Sequence, residues 1–304
     1  MDDFKHYTVM LNEAVDALEC EKGKIYVDCT LGGGGHSELI LKRISPNGRL
    51  ISFDIDDEAI RHAKERLKDY SNLTIIKSSY TNIKAELQKL GIEKITGGVI
   101  LDLGASYHQL TKAERGFSFS KEAPLDMRFD MESNFSAYDV VNTYSEDELV
   151  RIFSEYGEER FSKRIAKKIV EVRRSEPIRT TKELADIIIA ATPRIKSNIH
   201  PATRVFQAIR IEVNNELKNV NFVLHDILDL LDKGGIISVI SFHSRIVKQI
   251  FKFESQKCRC NEMICKCPPP RIELVNRKPI MASEKEILEN PPSRSAKLRV
   301  VRAI

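Results

Sequence analysis

The sequence predicts an α/β protein in which a parallel sheet, covered by helices on both faces, is interrupted by an all-helical insertion. Three observations carry that prediction. Short apolar runs alternate with helical periods through about the first third of the chain. The first of these runs breaks into four glycines and reopens as a helix. From about 106 to 215 there are helical patterns and no convincing strand, after which the alternation resumes.

The elements follow in order. Asn12 to Leu18 has a helical period. Ile25-Tyr26-Val27 is β-branched and aromatic and favours a strand ending on Asp28. Gly32 to Gly35 form a turn, and Ser37 to Arg43 a helix. Arg49 to Asp54 reads as a second strand, Asp56 to Tyr70 as a charged amphipathic helix and Leu73 to Lys77 as a third strand. Thr81 to Leu90 is a helix, and Gly98 to Gly104 a fourth strand. Within the insertion, helices are expected over Glu146–Tyr156, along the Phe161, Ile165, Ile169 and Val170 stripe, over Thr181–Ala191, and from Thr203 through Leu217 toward a further helix. Gly235 to Phe242 returns to strand, Arg245 to Phe253 to helix, and Ile272–Val275 and Lys297–Ile304 supply the last strands. The expected division is 1–105 and 216–304 for the two parts of the core and 106–215 for the insertion.

With 304 residues, 42% hydrophobic and 30% charged, the chain is expected to be globular rather than disordered. No apolar run approaches the roughly 18–20 residues that span a bilayer, and the first residues carry no signal-peptide pattern. A cytoplasmic protein without a membrane partner is therefore expected; nothing in the sequence fixes its oligomeric state. Net charge is only +4, but it is unevenly placed. Residues 151–214 hold 14 Lys/Arg against 8 Asp/Glu, a balance of +6, which leaves −2 for the rest. The terminal stretch adds Arg294, Lys297, Arg299 and Arg302 without an acid. Such clustering suits a polyanionic partner, or is ordinary solvated surface.

A strand that turns through glycines into a helix is a cradle for a nucleotide-like ligand, because glycine lets the backbone approach and the helix start offers N–H groups. The turn does not fit the dinucleotide spacing, since Ser37 or Glu38 falls where the third glycine belongs. It also lacks the Gly-Lys-Ser/Thr of a triphosphate loop. Asp28 ends the first strand, and Asp54, nineteen residues after Gly35, ends the second. An acid there accepts hydrogen bonds from both ribose hydroxyls of an adenosine. S-adenosylmethionine, with a ribose and no phosphate, suits this turn better than a diphosphate. The other reading makes Asp54 a helix cap.

These residues, with HYTVMLNEAVDAL, DCTLGGGGHS, LDLG, ERGFSF, PLDMRFD, YGEERFSKRIAKKIV, RTTKELADII, HPATRVFQAIRIEVNNEL, ISFHS and SRSAKLRV, carry a resemblance over nearly the whole chain. It resembles the RsmH (MraW) family, S-adenosylmethionine-dependent methyltransferases of bacterial small-subunit ribosomal RNA. The resemblance implies a Rossmann-like S-adenosylmethionine methyltransferase sheet with an inserted all-helical domain. It implies methylation of the N4 amine of a cytidine in the decoding region of 16S rRNA, within the small subunit or its assembly precursor. Carried over by position, the cofactor contacts are Gly34, Gly35, His36, Asp54, Tyr80, Asp102 and Gln109. Tyr80 offers a flat π-face for an adenine.

A cytosine N4 is a poor nucleophile, so an acceptor must orient it and take its proton. Asp102, at a strand end facing the cofactor, is the first candidate; Ser106 and His243 are the others. The chain departs from the family at Tyr107-His108 and in lacking Leu-Glu-Asp between Ser244 and Arg245. Those departures leave a second reading open, an RNA- or ribosome-binding protein with an altered active site. Lys163, Arg164, Lys167, Lys168, Arg173 and Arg174 are the candidates for holding the RNA backbone of a flipped base. Finally, Cys258, Cys260, Cys265 and Cys267 form C-x-C-x4-C-x-C, which would hold a structural zinc or remain a reduced loop.

Overall fold

The computed structural model describes residues 8–104, 113–193, 200–242, 245–260 and 266–304. The chain forms two compact units, one of residues 3–104 with 218–304, the other of residues 105–217.

In the first unit, eight strands form one sheet among the described residues. In chain order they are β1 (Ile25–Asp28), β2 (Arg49–Asp54), β3 (Leu73–Lys77), β4 (Gly98–Leu103), β5 (Ile236–Ser241), β6 (Ile272–Leu274), β7 (Ile280–Met281) and β8 (Lys297–Ala303). The spatial order is β3-β2-β1-β4-β5-β8-β6, with β7 also on β8. β1 to β5 are parallel, and β8 runs antiparallel to β5, β6 and β7. The strand order reverses between β1 and β4, which in open α/β sheets is the crevice where ligands bind.

Strand side chains alternate between faces, and the sheet is buried on both. Val27, Ile51, Phe53, Val99, Leu101, Ile237 and Val239 face one way, against Ile83 and Leu87, Val223 and Leu224, and Val247 and Phe251. Tyr26, Leu50, Ile100, Ile236 and Ile240 face the other way, against Val15, Ile40, Leu41, Ile60 and Ala63. Both layers are needed because these strands are near-continuous apolar runs.

Helix ends differ from expectation at several places, among them the charged helix expected to reach Tyr70, which ends at Arg66. The helix after the glycines runs Gly35–Ile44, so Gly35 and His36 lie in its first turn rather than before it. The expected helix at Thr81 is preceded by a tighter turn, Tyr80–Asn82, and runs Ile83–Lys89. The pattern from Thr203 through Leu217 is two helices, Ala202–Val213 and Glu216–Leu230, because Asn215 adopts φ 50 between them. A left-handed residue ends a helix, and Asn tolerates that conformation better than most. The strand at Ile280 and the helix Glu284–Glu289 were not expected.

The second unit packs the helices Ala137–Thr143, Glu146–Glu155, Ser162–Arg173, Thr181–Ala191 and Ala202–Val213 around Val140, Phe153, Ile165, Ile169, Leu184, Ile188 and Ile209, all fully buried. Capping boxes start three of them, the helix Ala137–Thr143 through Ser136 and Asp139. Ser145 Oγ accepts from the Glu148 N–H while Glu148 accepts from the Ser145 N–H. Thr180 and Glu183 repeat the exchange. Asn214 holds the loop bearing Met127 and Phe129. Its Oδ1 accepts from the Phe129 N–H at 2.7 Å, and its Nδ2 donates to the carbonyls of Met127 at 2.8 Å and Arg210 at 2.9 Å. Met127 sits at φ 60 with its side chain fully buried, so these bonds offset a strained backbone. Asn214→Ala is expected to destabilise the protein by about 3 kcal/mol, since each unmet backbone group costs about 1–3 kcal/mol. A lowered urea midpoint in the variant checks it.

Candidate active site

Three acids stand at the carboxyl ends of the adjacent strands β2, β1 and β4: Asp54, Asp28 and Asp102. Each is fixed differently.

Asp28 is fully buried. Its Oδ2 accepts from Ser37 Oγ at 2.7 Å, and its Oδ1 accepts from the Thr30 N–H at 3.0 Å. Ser37 Oγ also lies 2.9 Å from Ser52 Oγ on β2. With the Ser37 hydroxyl donating to Asp28, Ser52 donates to Ser37. This relay joins β1, β2 and the first turn of the helix Gly35–Ile44. Burial pushes the Asp28 carboxyl up to about 6, against the pull of the Ser37 and Thr30 hydrogen bonds.

Asp54 accepts from the Gly32 N–H at 2.8 Å and the Asp56 N–H at 2.9 Å. Asp56, not Asp54, caps the following helix, taking the Glu58 N–H at 2.9 Å. The cap reading of Asp54 is therefore replaced: its carboxylate is turned onto the glycine loop. Burial raises its pKa above the usual range.

Asp102 donates its N–H to Thr30 Oγ1 at 2.7 Å, which ties β4 to the start of the glycine loop. Among the described residues no N–H or O–H donates to its carboxylate. Burial pushes that carboxyl up to about 7, with the charges of Asp28 and Glu286 adding to the rise. Glu286, whose Oε1 accepts the Met10 N–H at 2.9 Å, comes from the helix Glu284–Glu289.

The glycine loop is built for close approach. Gly34 caps the helix at φ 79, and no side chain caps that end. A Cβ on Gly35 would lie 1.9 Å from Thr8 Oγ1, so no larger residue fits. Arg66 holds the loop from outside, donating from Nη1 to the Gly33 carbonyl at 3.2 Å and from Nε to Glu38 at 2.7 Å. The His36 imidazole is buried, with Nε2 3.1 Å from the Val9 carbonyl. Its ring anchors the preceding segment. Tyr80 is half-buried, opens the turn after β3 and packs against the apolar layer that includes Phe53. The Ser78 N–H donates to the Asp54 carbonyl at 3.0 Å, so Tyr80 begins two residues from a direct tie to β2.

The structure thus brings Gly34, Gly35, Asp54, Asp28 and Asp102 onto one sheet edge. Ser106, Tyr107, His108, Gln109, His243, Ser244 and Cys265 lie outside the described residues. In the second unit Lys163, Arg164, Lys167, Lys168 and Arg174 are exposed around a helix whose Ile165, Ala166 and Ile169 are buried. Arg173 is half-buried and has a structural task. Its Nη1 donates to the Val141 carbonyl at 2.6 Å and its Nη2 to the Tyr144 carbonyl, closing the end of the helix Ala137–Thr143. Sequence reasoning missed Thr30, Ser37, Ser52, Arg66 and Glu286. Of these only Ser37 carried a signal, as the polar residue two positions past the last glycine.

The raised acids set a pH dependence. A carboxyl with a folded pKa above its unfolded value binds more protons when folded, so stability is full below the unfolded value and is lost as pH rises through the folded one. Wild-type stability is expected to fall between about pH 4 and 7, the interval from the ordinary carboxylate value to that of Asp102. Asp102→Asn removes one ionising group and relieves Asp28. Urea midpoints of the two proteins are therefore expected to diverge in favour of the variant from pH 5 to pH 8; parallel profiles would contradict the assignment.

Residues 3–304 match the MraW methylase family. A "Ribosomal RNA small subunit methyltransferase H" of Clostridioides difficile (strain 630) is 51% identical over 312 residues, covering 99% of this chain and 100% of that one. One of the same name from Geobacter sp. (strain M21) is 51% identical over 313 residues, covering 100% of both. Among solved structures, an rRNA methylase from Streptococcus thermophilus covers 96% of this chain and 95% of its own at 10% identity and a TM-score of 0.43, too distant to add to the argument. The match over nearly the whole length decides the matter: the chain belongs to the MraW methylase family.

Proposed function

We propose that this protein transfers a methyl group from S-adenosylmethionine to the N4 amine of a cytidine in the decoding region of 16S rRNA, in the small ribosomal subunit or its assembly precursor. The observation that supports the reading best is the set of acids at the β2, β1 and β4 ends beside a lysine-free glycine loop, in a chain half identical to curated rRNA methyltransferases. The residues present fit the donor. Gly34, at φ 79, and Gly35, whose Cβ would meet Thr8, give the turn its shape, and Asp54 is held by main-chain N–H groups with its carboxylate at the loop. Asp54 would hold the ribose hydroxyls, Gly34 and Gly35 the backbone approach, Tyr80 the adenine, and Asp28 a positive charge by its own negative one. His36 would contribute through its main chain, its ring being engaged with Val9.

S-adenosylmethionine supplies an electrophilic methyl group on a sulfonium. Asp102 does the rest of the chemistry. Its carboxylate accepts a hydrogen bond from the N4 amine and turns the nitrogen lone pair toward the methyl carbon. With the donor bound, its methyl group would pass to N4, and Asp102 would take the displaced N4 proton. A pKa of about 7 suits a base working near neutrality.

The test uses small subunits from cells lacking this gene, incubated with the purified protein and the donor, with N4-methylcytidine read by mass spectrometry. Methylation of one decoding-region cytidine is expected, with Asp102→Asn slower by roughly 100-fold, the lower end of what a positioned base contributes. RNA bound but left unmethylated would favour the altered, binding-only reading raised by the three residues missing after Ser244.

The exposed cations of the helix Ser162–Arg173 would hold phosphates. Lys163→Ala with Lys167→Ala is expected to weaken RNA binding and to flatten the dependence of log affinity on log salt by roughly 1.4, about 0.7 for each phosphate of a single strand that is no longer neutralised. An unchanged slope removes this surface from the reading.

A further inference from the structure

The segment between the helix Arg245–Glu254 and β6 shows no apolar core among its described residues. Among its described residues, 255–260 and 266–271, none is buried. Its ends are nonetheless pinned to one point. The Arg271 N–H donates to the Glu254 carbonyl at 3.0 Å, and Arg259 Nη2 donates to the same carbonyl at 3.1 Å. Arg259 also lies over the Phe253 ring, 4.9 Å from its centroid. A long segment closed at its ends and lacking buried side chains needs another organiser, and small loop-rich pieces are commonly organised by a metal.

The thiols converge there. The sulfurs of Cys258, Cys260 and Cys267 all lie within 4.8 Å of one another. Cys258 and Cys260 Sγ are 3.9 Å apart, and sulfurs bound tetrahedrally at about 2.3 Å from a zinc ion lie about 3.8 Å apart. The Arg259 N–H donates to Cys267 Sγ at 3.2 Å, the kind of backbone bond that orients a metal-bound thiolate. Lys257, Arg259 and Lys266 adjoin the three cysteines in sequence and offset the negative charge of such a set. We propose that Cys258, Cys260 and Cys267 bind a structural zinc ion that fixes this segment on the edge of the sheet. Cys265 lies outside the described residues, and the proposal stands on the other three. The soft all-sulfur donor set favours zinc over the oxygen-seeking magnesium or calcium.

Untagged full-length protein, purified under reducing conditions without chelator, is expected to hold about one zinc per chain by elemental analysis. Cys258→Ser and Cys267→Ser are each expected to lower that to below about one tenth, while Cys20→Ser, which alters a thiol elsewhere in the fold, leaves it unchanged. Should the loop variants fail to fold, cobalt exchange into the wild-type protein decides: intense thiolate-to-cobalt charge-transfer bands support the site. Trypsin gives a separate readout, since chelation is expected to expose cleavage at Lys257, Arg259 and Lys266. Three results would each overturn the proposal: no metal with all cysteines present as free thiols, a Cys258–Cys260 disulfide with no metal, or zinc retained by both variants. An iron-containing chromophore at these cysteines would overturn the choice of zinc. None of these readouts depends on methyl transfer.

Discussion

The relay Ser52–Ser37–Asp28 is the interaction on which the rest of the site depends. Asp28 is a fully buried acid at the centre of the sheet, and a buried carboxyl without partners is costly. Ser37 reaches it only because the helix after the glycines starts at Gly35, and that start is sterically possible only because residue 35 has no Cβ to meet Thr8. The glycine loop, the helix position and the first strand therefore form one constraint. Thr30 extends it to β4 through the Asp102 N–H, and Asp54 extends it to β2 through the Gly32 N–H. Moving any one of these strand ends would leave a buried acid or a loop N–H without its partner.

The same constraint explains what was legible in the sequence. The parallel core is written locally: β1, β2, β4 and β5 are short apolar runs that end at a polar residue or glycine, and their register follows from alternation. The glycine loop was legible because four consecutive glycines have few other uses. Asp54 was placed by spacing alone, and the structure adds that Asp56 takes the capping task. Reading His36 as part of a turn missed that a helix whose cap is Gly34 can begin among glycines. Glu286 was not legible at all. It acts on Asp102 across more than half the chain, from a short helix with no strong period, and such pairings leave no local mark.

In the second unit the divide between legible and hidden follows side-chain length. The apolar stripe of the helix Ser162–Arg173 and the cations around it were readable from a 3.6-residue period. What the period does not tell is how each cation is engaged; Lys168, for one, pairs with Glu171 at 3.4 Å. Lys163, Arg164, Lys167, Lys168 and Arg174 are exposed, whereas Arg173 folds back onto two carbonyls. Arginine's fork suits that task, because one side chain satisfies two acceptors at a helix end. The break at Asn214–Asn215 was hidden for a related reason: the two asparagines look like a mild interruption in sequence, but one supplies three hydrogen bonds and the other the left-handed turn.

The three acids also bear on why such a site persists when it weakens the fold. In the ligand-free protein, ionising Asp28 or Asp102 lowers stability, because burial opposes it first and then neighbouring charge, that of Asp54 at Asp28 and those of Asp28 and Glu286 at Asp102. A cationic ligand held near them reverses that balance: it favours the ionised forms and gains affinity from the same charges that were unfavourable without it. Linkage joins the two statements through the charge–charge part: the repulsion that helps raise the acids' pKa values in the free protein becomes attraction for a positive charge, while the larger burial part opposes any charge there. An amide at position 102, where no N–H or O–H donates to the carboxylate among the described residues, would make a more stable sheet and a weaker cradle. The raised pKa of Asp102 adds a second consequence: a carboxylate whose pKa lies above the usual range holds a proton more tightly than an ordinary surface aspartate does, which is what the proposed role as proton acceptor asks of it.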